Sequence, residues 1–288
     1  MERLKKNRVA SFIVVGIVYV LASAVGVGLY IALPFSWWLK LLLADVVATI
    51  VTFIFSLIFK NASVYDPYWS VQPLVIVGGF AIARGFNPLC ILLFVAIFLW
   101  GIRLTVNWAY TFKSLTHQDW RYTMLKEKTA KLYFLVNFTG IHMVPTLIVY
   151  GCTLPAAYAF ENDLKINTVS VIFIVISILA VILQGTADIQ MHSFRRHRDG
   201  NFIRRGLWNH SRHPNYLGEI LMWWGIGLSV VYADLGAWYL LAGALANTIL
   251  FLVVSIPMAD KRQSKKEGFE EYKKQTRMLL PIPKMPKN

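Results

Sequence analysis

The chain has 288 residues, of which 57% are hydrophobic and only 15% are charged, and its formal net charge is +14. Soluble domains carry about 45–50% apolar and about 25% charged residues, so this composition excludes an ordinary soluble domain. The basic residues gather at the N-terminus, in two connections and in the tail, as they do in cytoplasmic segments of membrane proteins. The charge therefore does not indicate nucleic-acid binding. Cys90 and Cys152 lie in apolar runs, and a disulfide framework is not expected.

Long apolar runs follow one another along the chain, and most approach or exceed the ~20 residues that cross a bilayer. The predicted spans are 9–34, 38–59, 72–83 (a short one), 88–112, 132–160, 167–187, 216–232 and 235–258. Basic residues precede the first run, as in a signal peptide, but about 25 apolar residues exceed a signal core. Eight crossings put the basic segments on one side and the acidic ones, 161–165 and Asp234, on the other. The predicted fold is an all-α, multi-pass integral membrane helix bundle with seven or eight transmembrane helices.

Polar residues interrupt the apolar sequence at two places in the first half. Asp66 and Tyr68 lie in an aromatic segment, 63–73, where one span ends and the next begins; a simple turn with interfacial aromatics is the alternative. Trp100, Arg103 and Asn107 recur at helical spacing and share one helix face. Arg103 lies inside an apolar run, so it either faces a polar partner or extends to the nearby interface.

A third polar region begins with Gln184, Asp188, His192 and Arg195, which form one stripe along a predicted helix. Six arginines follow between positions 195 and 212 against one acid, Asp199. They are Arg195, Arg196, Arg198, Arg204, Arg205 and Arg212. Guanidinium groups bind phosphate in planar, bidentate geometry, so this density favours a phosphate ligand over ordinary loop charge.

A helix is predicted to begin at Pro214, because proline suits the first helical position. Its free N–H groups would lie beside the arginines and attract an anion. Asn215 and Glu219 are one turn apart on this helix, and Glu219 is a carboxylate at membrane depth. The tail, 261–277, is charged and amphipathic; it is either a surface helix or a lid over a ligand.

The segment Arg212-His-Pro-Asn-Tyr-Leu-Gly-Glu219 resembles the membrane family of steroid 5α-reductases and their bacterial relatives. Sterol reductases and isoprenylcysteine carboxyl methyltransferases are similar to it more distantly. The resemblance runs from Asp66 through the Asp188 stripe to Tyr272, about three-quarters of the chain. It implies one membrane domain over 1–288, with N-terminal helices in 1–60, a substrate-side region in 61–131 and a cofactor-binding half in 132–288.

The resemblance implies that NADPH is the cofactor and that no metal is required. The cofactor-binding positions are Gln184, Asp188, Arg195, Arg196, Trp208, Arg212, His213, Asn215, Tyr216, Glu219 and Tyr272. The catalytic positions are Asp66, Glu219, Tyr68, Trp100 and Arg103. Trp100 stands where the mammalian enzymes carry a tyrosine, so the donor that accompanies Asp66 is expected to be Tyr65, Tyr68 or the Trp100 indole.

The expected reaction is reduction of the carbon–carbon double bond of an α,β-unsaturated ketone by hydride transfer inside the membrane. We expect a Δ4-3-oxo steroid or another flat, apolar enone as substrate, the bilayer as surroundings, and neither nucleic acid nor an obligatory protein partner. The cofactor side is expected to be cytoplasmic, in a bacterial inner membrane or the endoplasmic reticulum. Gly26-Val-Gly28 lacks the third glycine of a dinucleotide-binding fingerprint, so a Rossmann domain is not expected. The alternatives are an S-adenosylmethionine-dependent methyltransferase and a transporter.

Overall fold

The computed structural model describes residues 5–282, and helices account for nearly all of the regular structure in that range. The α-helices are α1 (Arg8–Ala32), α2 (Trp37–Phe59), α3 (Tyr68–Arg84), α4 (Pro88–Thr111), α5 (Trp120–Thr129), α6 (Val144–Glu161), α7 (Thr168–Arg196), α8 (Leu207–His210), α9 (Pro214–Val231), α10 (Ala242–Leu250), α11 (Ile256–Gln263) and α12 (Phe269–Gln275). Short 3₁₀ turns lie at Ala62–Tyr65, Ala130–Leu132 and Leu235–Leu241, and π-helical segments at Asn137–Met143 and Phe251–Ser255. Within residues 5–282, Ser211 and Arg277 share an isolated β-bridge and no strand forms. The all-α prediction is confirmed.

Six helical segments in the described range are long and apolar enough to cross a membrane. They are Arg8–Ala32, Trp37–Phe59, Pro88–Thr111, Trp120–Glu161, Thr168–Arg196 and Leu235–Gln263. A multi-pass membrane protein is thus confirmed, whereas the count of seven or eight spans is not. The other two predicted spans correspond to α3 and α9, which are helices of only 17 and 18 residues. Helix α9 also carries Asn215 and Glu219, which lower its mean hydropathy.

The described chain divides into two compact units. Within the described residues, unit 1 comprises 5–85 and Trp100–Glu161, and unit 2 comprises Phe86–Leu99 and 162–282. In unit 1, α1 packs on α2 and α3 packs on α6. A core of small and aromatic side chains fills the space between α1, α2 and the Ala62–Tyr65 turn. The organisation as a single domain stays a prediction.

In unit 2, α7 and α9 form the most extensive helix pair. Glycines allow the close approach: a Cβ added at Gly225 would lie 2.1 Å from Ser177 Oγ and 2.7 Å from the carbonyl oxygen of Phe173. About two turns earlier, a Cβ at Gly218 would lie 2.7 Å from the carbonyl oxygen of Ala180. This contact places the polar stripe of α7 against α9.

We expect Gly225→Ala to destabilise the protein by about 1–3 kcal/mol, because a backbone carbonyl of α7 must move to admit the methyl group. The measurement is thermal unfolding in detergent. Gly78→Ala is the matched control, since no atom lies within 4 Å of its added Cβ and alanine favours the helix. Equal melting temperatures for the two variants would contradict the close contact of α7 and α9.

Candidate functional site

Helices α7 and α9 of unit 2 carry buried amide side chains where they meet. Gln184 is fully buried, and within residues 5–282 neither its Oε1 nor its Nε2 has a hydrogen-bond partner. Its side chain lies against Gly218, whose added Cβ would be 2.5 Å from Gln184 Cγ. Asn215, almost one turn earlier on α9, has a buried Oδ1 that likewise finds no partner in the described chain. Buried polar groups are nearly always hydrogen-bonded, so this arrangement suits a polar ligand.

Glu219 lies one turn after Asn215 on α9 and is 4% exposed. The indole Nε1 of Trp223 donates to Glu219 Oε1 at 2.9 Å and holds the carboxylate in place. A carboxylate accepts hydrogen bonds, and an amide both donates and accepts them. The side chains of Gln184, Asn215 and Glu219 therefore offer the donors and acceptors that a ligand carboxamide needs at its oxygen and at its NH₂ group.

Positive charge concentrates in unit 2 beyond the end of α7. Desolvation lowers the pKa of the Lys266 amine, and the charges of Arg198, Arg262 and Arg195 lower it further, so the four cations lie near one another. Five of the six arginines between 195 and 212 are exposed, and only Arg212 is buried. A cavity of about 390 Å³ opens between residues 199–205 and Glu267. Like charges held this close favour binding of a polyanion.

Arg212 and His213 are structural contacts of the segment that leads into α9. Arg212 Nη2 and His213 Nε2 each lie 2.9 Å from a different carboxylate oxygen of Asp260 on α11. Arg212 Nη1 also donates to the carbonyl oxygen of Thr276 at 2.7 Å. Arg212 is also predicted to bind the cofactor. Its guanidinium already forms an ion pair that connects the start of α9 to α11 and the tail. Tyr216 stacks on the His213 ring, with centroids 5.2 Å apart.

Trp208 and Tyr272 anchor the loop and the tail to α7. The Trp208 indole donates to the carbonyl oxygen of Ala187 at 3.2 Å, and the Tyr272 hydroxyl donates to the carbonyl oxygen of Trp208. Gly206 has φ +57° and approaches the Gln190 side chain, whose Oε1 accepts from Leu207 N at 2.9 Å. Only glycine fits this left-handed position against a side chain. Burial raises the pKa of Tyr272 to about 12, so the hydroxyl stays a donor.

The remaining cofactor predictions fall on α7. Asp188 is partly buried one turn after Gln184, and Arg195 and Arg196 are exposed at the end of the helix. Arg195 belongs to the cation cluster that acts on Lys266.

Asp66 of unit 1 follows the Ala62–Tyr65 turn and accepts a hydrogen bond from the Tyr122 hydroxyl at 2.6 Å. Desolvation raises the pKa of the Asp66 carboxyl to about 6, with Arg121 opposing the rise and Asp119 adding to it. A carboxyl with this pKa changes protonation near neutral pH and can serve as a hydrogen-bond donor or acceptor.

The turn that carries Asp66 is fastened to the 114–122 segment. Asn61 Nδ2 donates to the carbonyl oxygens of Leu115 and His117 at 2.7 and 3.1 Å. Ser63 Oγ accepts from the backbone N–H of Asp119 at 2.8 Å. These bonds explain how Tyr122, 56 residues away in sequence, reaches Asp66.

The aromatic donors named from the sequence have other partners. Tyr65 Oη bonds Thr146 Oγ1 at 2.8 Å, and Tyr68 Oη donates to Asp45 at 3.4 Å. Trp100 is fully buried with its ring 6.2 Å from that of Trp69, and Arg103 is partly buried on the same helix. The hydrogen-bonded partner of Asp66 is thus Tyr122, which the sequence analysis missed.

Asp260, Gln190 and Gln72 also stabilise the local structure within the two units, and none of the three was predicted from the sequence. Asp260 lies two residues after the last predicted span. An acid at the end of a span is the one feature of the sequence that could have drawn attention to it. Asp45 is the one acid of residues 1–60 that lies within a predicted span, but the sequence gives no signal for its partners on α3, Tyr68 and Gln72.

Residues 52–276 match the model of a family described as a protein of unknown function, DUF1295. The chain belongs to this family. No curated protein and no solved structure matches the chain. The segment matched to DUF1295 contains every predicted site residue from Asp66 to Tyr272, and it contains Tyr122 and Asp260 as well.

We expect Arg212→Gln to destabilise this DUF1295 member by about 3–5 kcal/mol, because Asp260 would keep a buried charge without its guanidinium partner. Thermal unfolding in detergent measures the loss. Arg205→Gln removes an exposed ion pair with Asp199 and should leave the melting temperature almost unchanged. A mild effect of Arg212→Gln, similar to that of the control, would argue against a structural ion pair.

Proposed function

We propose that the protein is an NADPH-dependent reductase that saturates the carbon–carbon double bond of an apolar α,β-unsaturated ketone. The observation that carries the proposal is a set of polar atoms on α7 and α9. Within residues 5–282 the buried amide of Gln184 and the buried Oδ1 of Asn215 have no hydrogen-bond partner, and Glu219, one turn after Asn215 on α9, is a buried carboxylate. This set of donors and acceptors fits the carboxamide of a nicotinamide.

The phosphates of the cofactor would bind at the cation cluster of Arg195, Arg198, Arg262 and Lys266. A dinucleotide with a 2′-phosphate would relieve the mutual repulsion of these cations. S-adenosylmethionine is cationic at sulfur and has no phosphate, so it offers no such relief. This contrast favours a nicotinamide cofactor over the methyltransferase alternative.

When bound, NADPH supplies a hydride for the β-carbon of the enone. The residues of this chain have other tasks. In unit 2, Glu219 and Asn215 would orient the carboxamide and so determine which face of the ring is presented. In unit 1, Asp66 would hydrogen-bond the ketone oxygen of the substrate, supported by Tyr122 at 2.6 Å. A donor at this oxygen stabilises the negative charge that develops there.

We expect Gln184→Met to weaken NADPH binding about tenfold, because methionine keeps the shape but loses two hydrogen bonds worth roughly 0.5–1.5 kcal/mol each. A titration of the purified protein measures the dissociation constant. Thr186 lies on the exposed side of the same helix, so the control variant Thr186→Val should bind NADPH as the unaltered protein does. Glu219→Ala should in addition abolish turnover of a Δ4-3-oxo steroid.

Thermal unfolding of the same purified protein distinguishes NADPH from S-adenosylmethionine as the cofactor. NADPH should raise the melting temperature and S-adenosylmethionine should not. Stabilisation by S-adenosylmethionine alone would overturn the reductase proposal.

The donor role of Asp66 predicts a pH profile. The carboxyl donates only when protonated, so turnover should fall as the pH rises through about 6. Asp66→Asn keeps an N–H donor that does not titrate, and its slower turnover should lose this step. Tyr122→Phe, which removes a hydrogen bond that stabilises the carboxylate, should move the step to higher pH. An unchanged step in Asp66→Asn would assign it to another group.

A further inference from the structure

A buried polar stripe runs along α2, inside a predicted membrane span. Asp45, Thr49, Thr52 and Ser56 follow one another at helical spacing, and all four are buried. From first to last the stripe extends about 16 Å along the helix. Polar groups at membrane depth in a bundle interior mark functional paths more often than lipid contacts.

Asp45 and Thr49 of this stripe belong to a series of polar side-chain contacts that crosses unit 1. Tyr68 Oη donates to Asp45 Oδ1 at 3.4 Å, and the Thr49 hydroxyl lies close enough to Tyr68 Oη to interact with it. Thr49 Oγ1 bonds Thr146 Oγ1 at 3.0 Å, and Thr146 Oγ1 bonds Tyr65 Oη at 2.8 Å. Three hydroxyl groups, those of Tyr68, Thr49 and Thr146, therefore connect the Asp45 carboxyl to the Tyr65 hydroxyl. Thr52 and Ser56 bond backbone carbonyls of their own helix and are not links in the chain.

A chain of hydroxyls has two orientations. Each hydroxyl donates one hydrogen and accepts others. When Asp45 is a carboxylate, it accepts from Tyr68, every donor points towards it, and Tyr65 Oη is left as an acceptor. When Asp45 is a carboxylic acid, it can donate to Tyr68, all the bonds reverse, and Tyr65 Oη can donate onward. The protonation state of Asp45 therefore determines whether Tyr65 Oη, at the other end of the chain, can donate a hydrogen bond.

The surroundings of Asp45 permit both states. Within residues 5–282 Asp45 forms no ion pair, and its side-chain partners are Tyr68 and the amide of Gln72. Burial without a cation favours the neutral acid, so a proton can be stored there. Gln72 Oε1 is buried and has no hydrogen-bond partner in the described part of the chain.

A proton acceptor lies beside the far end. The His142 ring is 4.7 Å from the Tyr65 ring, between centroids, and its Nδ1 is 2.9 Å from the carbonyl oxygen of Asn137. A carbonyl can only accept, so Nδ1 carries the hydrogen and Nε2 holds the lone pair. His142 Nε2 is buried and finds no partner among the residues described. His142 and Asn137 both lie in the π-helical segment Asn137–Met143, a local geometry that recurs at functional sites.

We propose that the side chains from Asp45 to Tyr65 form a proton relay that stores a proton inside the membrane and supplies it to the reaction. The assignment of the recipient rests on the proposed function: saturating an enone adds a hydride at the β-carbon and a proton at the α-carbon. Tyr65 Oη gives its proton to the α-carbon and takes one from Thr146. Thr49 and Tyr68 pass their protons along in turn, and Asp45 becomes a carboxylate. A proton from water then enters at Tyr65 and passes back along the same hydroxyls, which restores the Asp45 acid before the next turnover.

The resting protein tests the relay without cofactor or substrate. Infrared spectroscopy should show a carboxylic-acid C=O band that Asp45→Asn removes, and this band should shift as deuterium enters from heavy water. Thr146→Val breaks the chain at its middle link, so deuterium uptake at Asp45 should slow at least about tenfold. Thr146→Ser keeps the hydroxyl and should exchange as the unaltered protein does. Equal uptake in Thr146→Val and Thr146→Ser would overturn the relay.

The rate of enone reduction is the second measurement that tests the relay. Thr146→Val, and independently Thr49→Val, should lower the rate by about a hundredfold, the lower end of what a positioned proton donor contributes. NADPH affinity should not change, and the solvent deuterium isotope effect should increase in both variants. A normal rate and isotope effect in folded Thr49→Val and Thr146→Val would contradict the role in reduction. If the unaltered protein reduces no enone, the proposed function fails, while the exchange experiment still decides on the relay.

Discussion

The hydrocarbon core of a bilayer offers no hydrogen bonds, so every polar side chain inside this bundle must find its partner in the protein or in a ligand. Most of them do. Ser170 and Ser177 donate to backbone carbonyls of α9, and Tyr19 donates to the carbonyl oxygen of Val64. Against this background the unpartnered amides of Gln184 and Asn215 are exceptions within the described chain, and they lie where α7 and α9 are closest.

The close contact of α7 and α9 also explains how an unsatisfied amide comes to be buried there. Gly218 and Gly225 let the two backbones approach, and the approach seals Gln184 from lipid. A larger residue at Gly218 would occupy the space that the Gln184 side chain needs. The helices therefore hold an amide that they do not themselves satisfy, which is the condition for a preorganised polar site.

Helical periodicity was enough to predict the all-α fold and the inward stripe of Gln184 and Asp188, because apolar runs and spacing are local properties. The count of seven or eight spans stays a prediction, since α3 and α9 are helices of marginal length and α9 carries Asn215 and Glu219. The partner of Asp66 could not be predicted because Tyr122 reaches it through a loop held by Asn61 and Ser63. Such contacts depend on tertiary packing and leave no periodic signal.

Arginine density was a weaker guide than arginine placement. Arg212 lies within the cluster in sequence, yet its guanidinium binds Asp260 and the carbonyl oxygen of Thr276. Of the exposed members, Arg195 and Arg198 lie near Arg262 and Lys266, which come from a later part of the chain. A count along the sequence cannot separate these arginines, because one stabilises the junction of α9 and α11 while two others belong to a cluster of cations.

The acids of this protein divide by the chemistry of their partners. Asp260 is held by Arg212 and His213, and a carboxylate between such donors stays ionised and serves as a structural tie. Asp45 and Asp66 instead contact phenol or amide donors. A neutral donor orients a carboxyl without fixing its charge, so the group can still take up a proton or accept a hydrogen bond from a ligand. That difference is the physical reason to seek proton chemistry at these two acids and a structural role at Asp260.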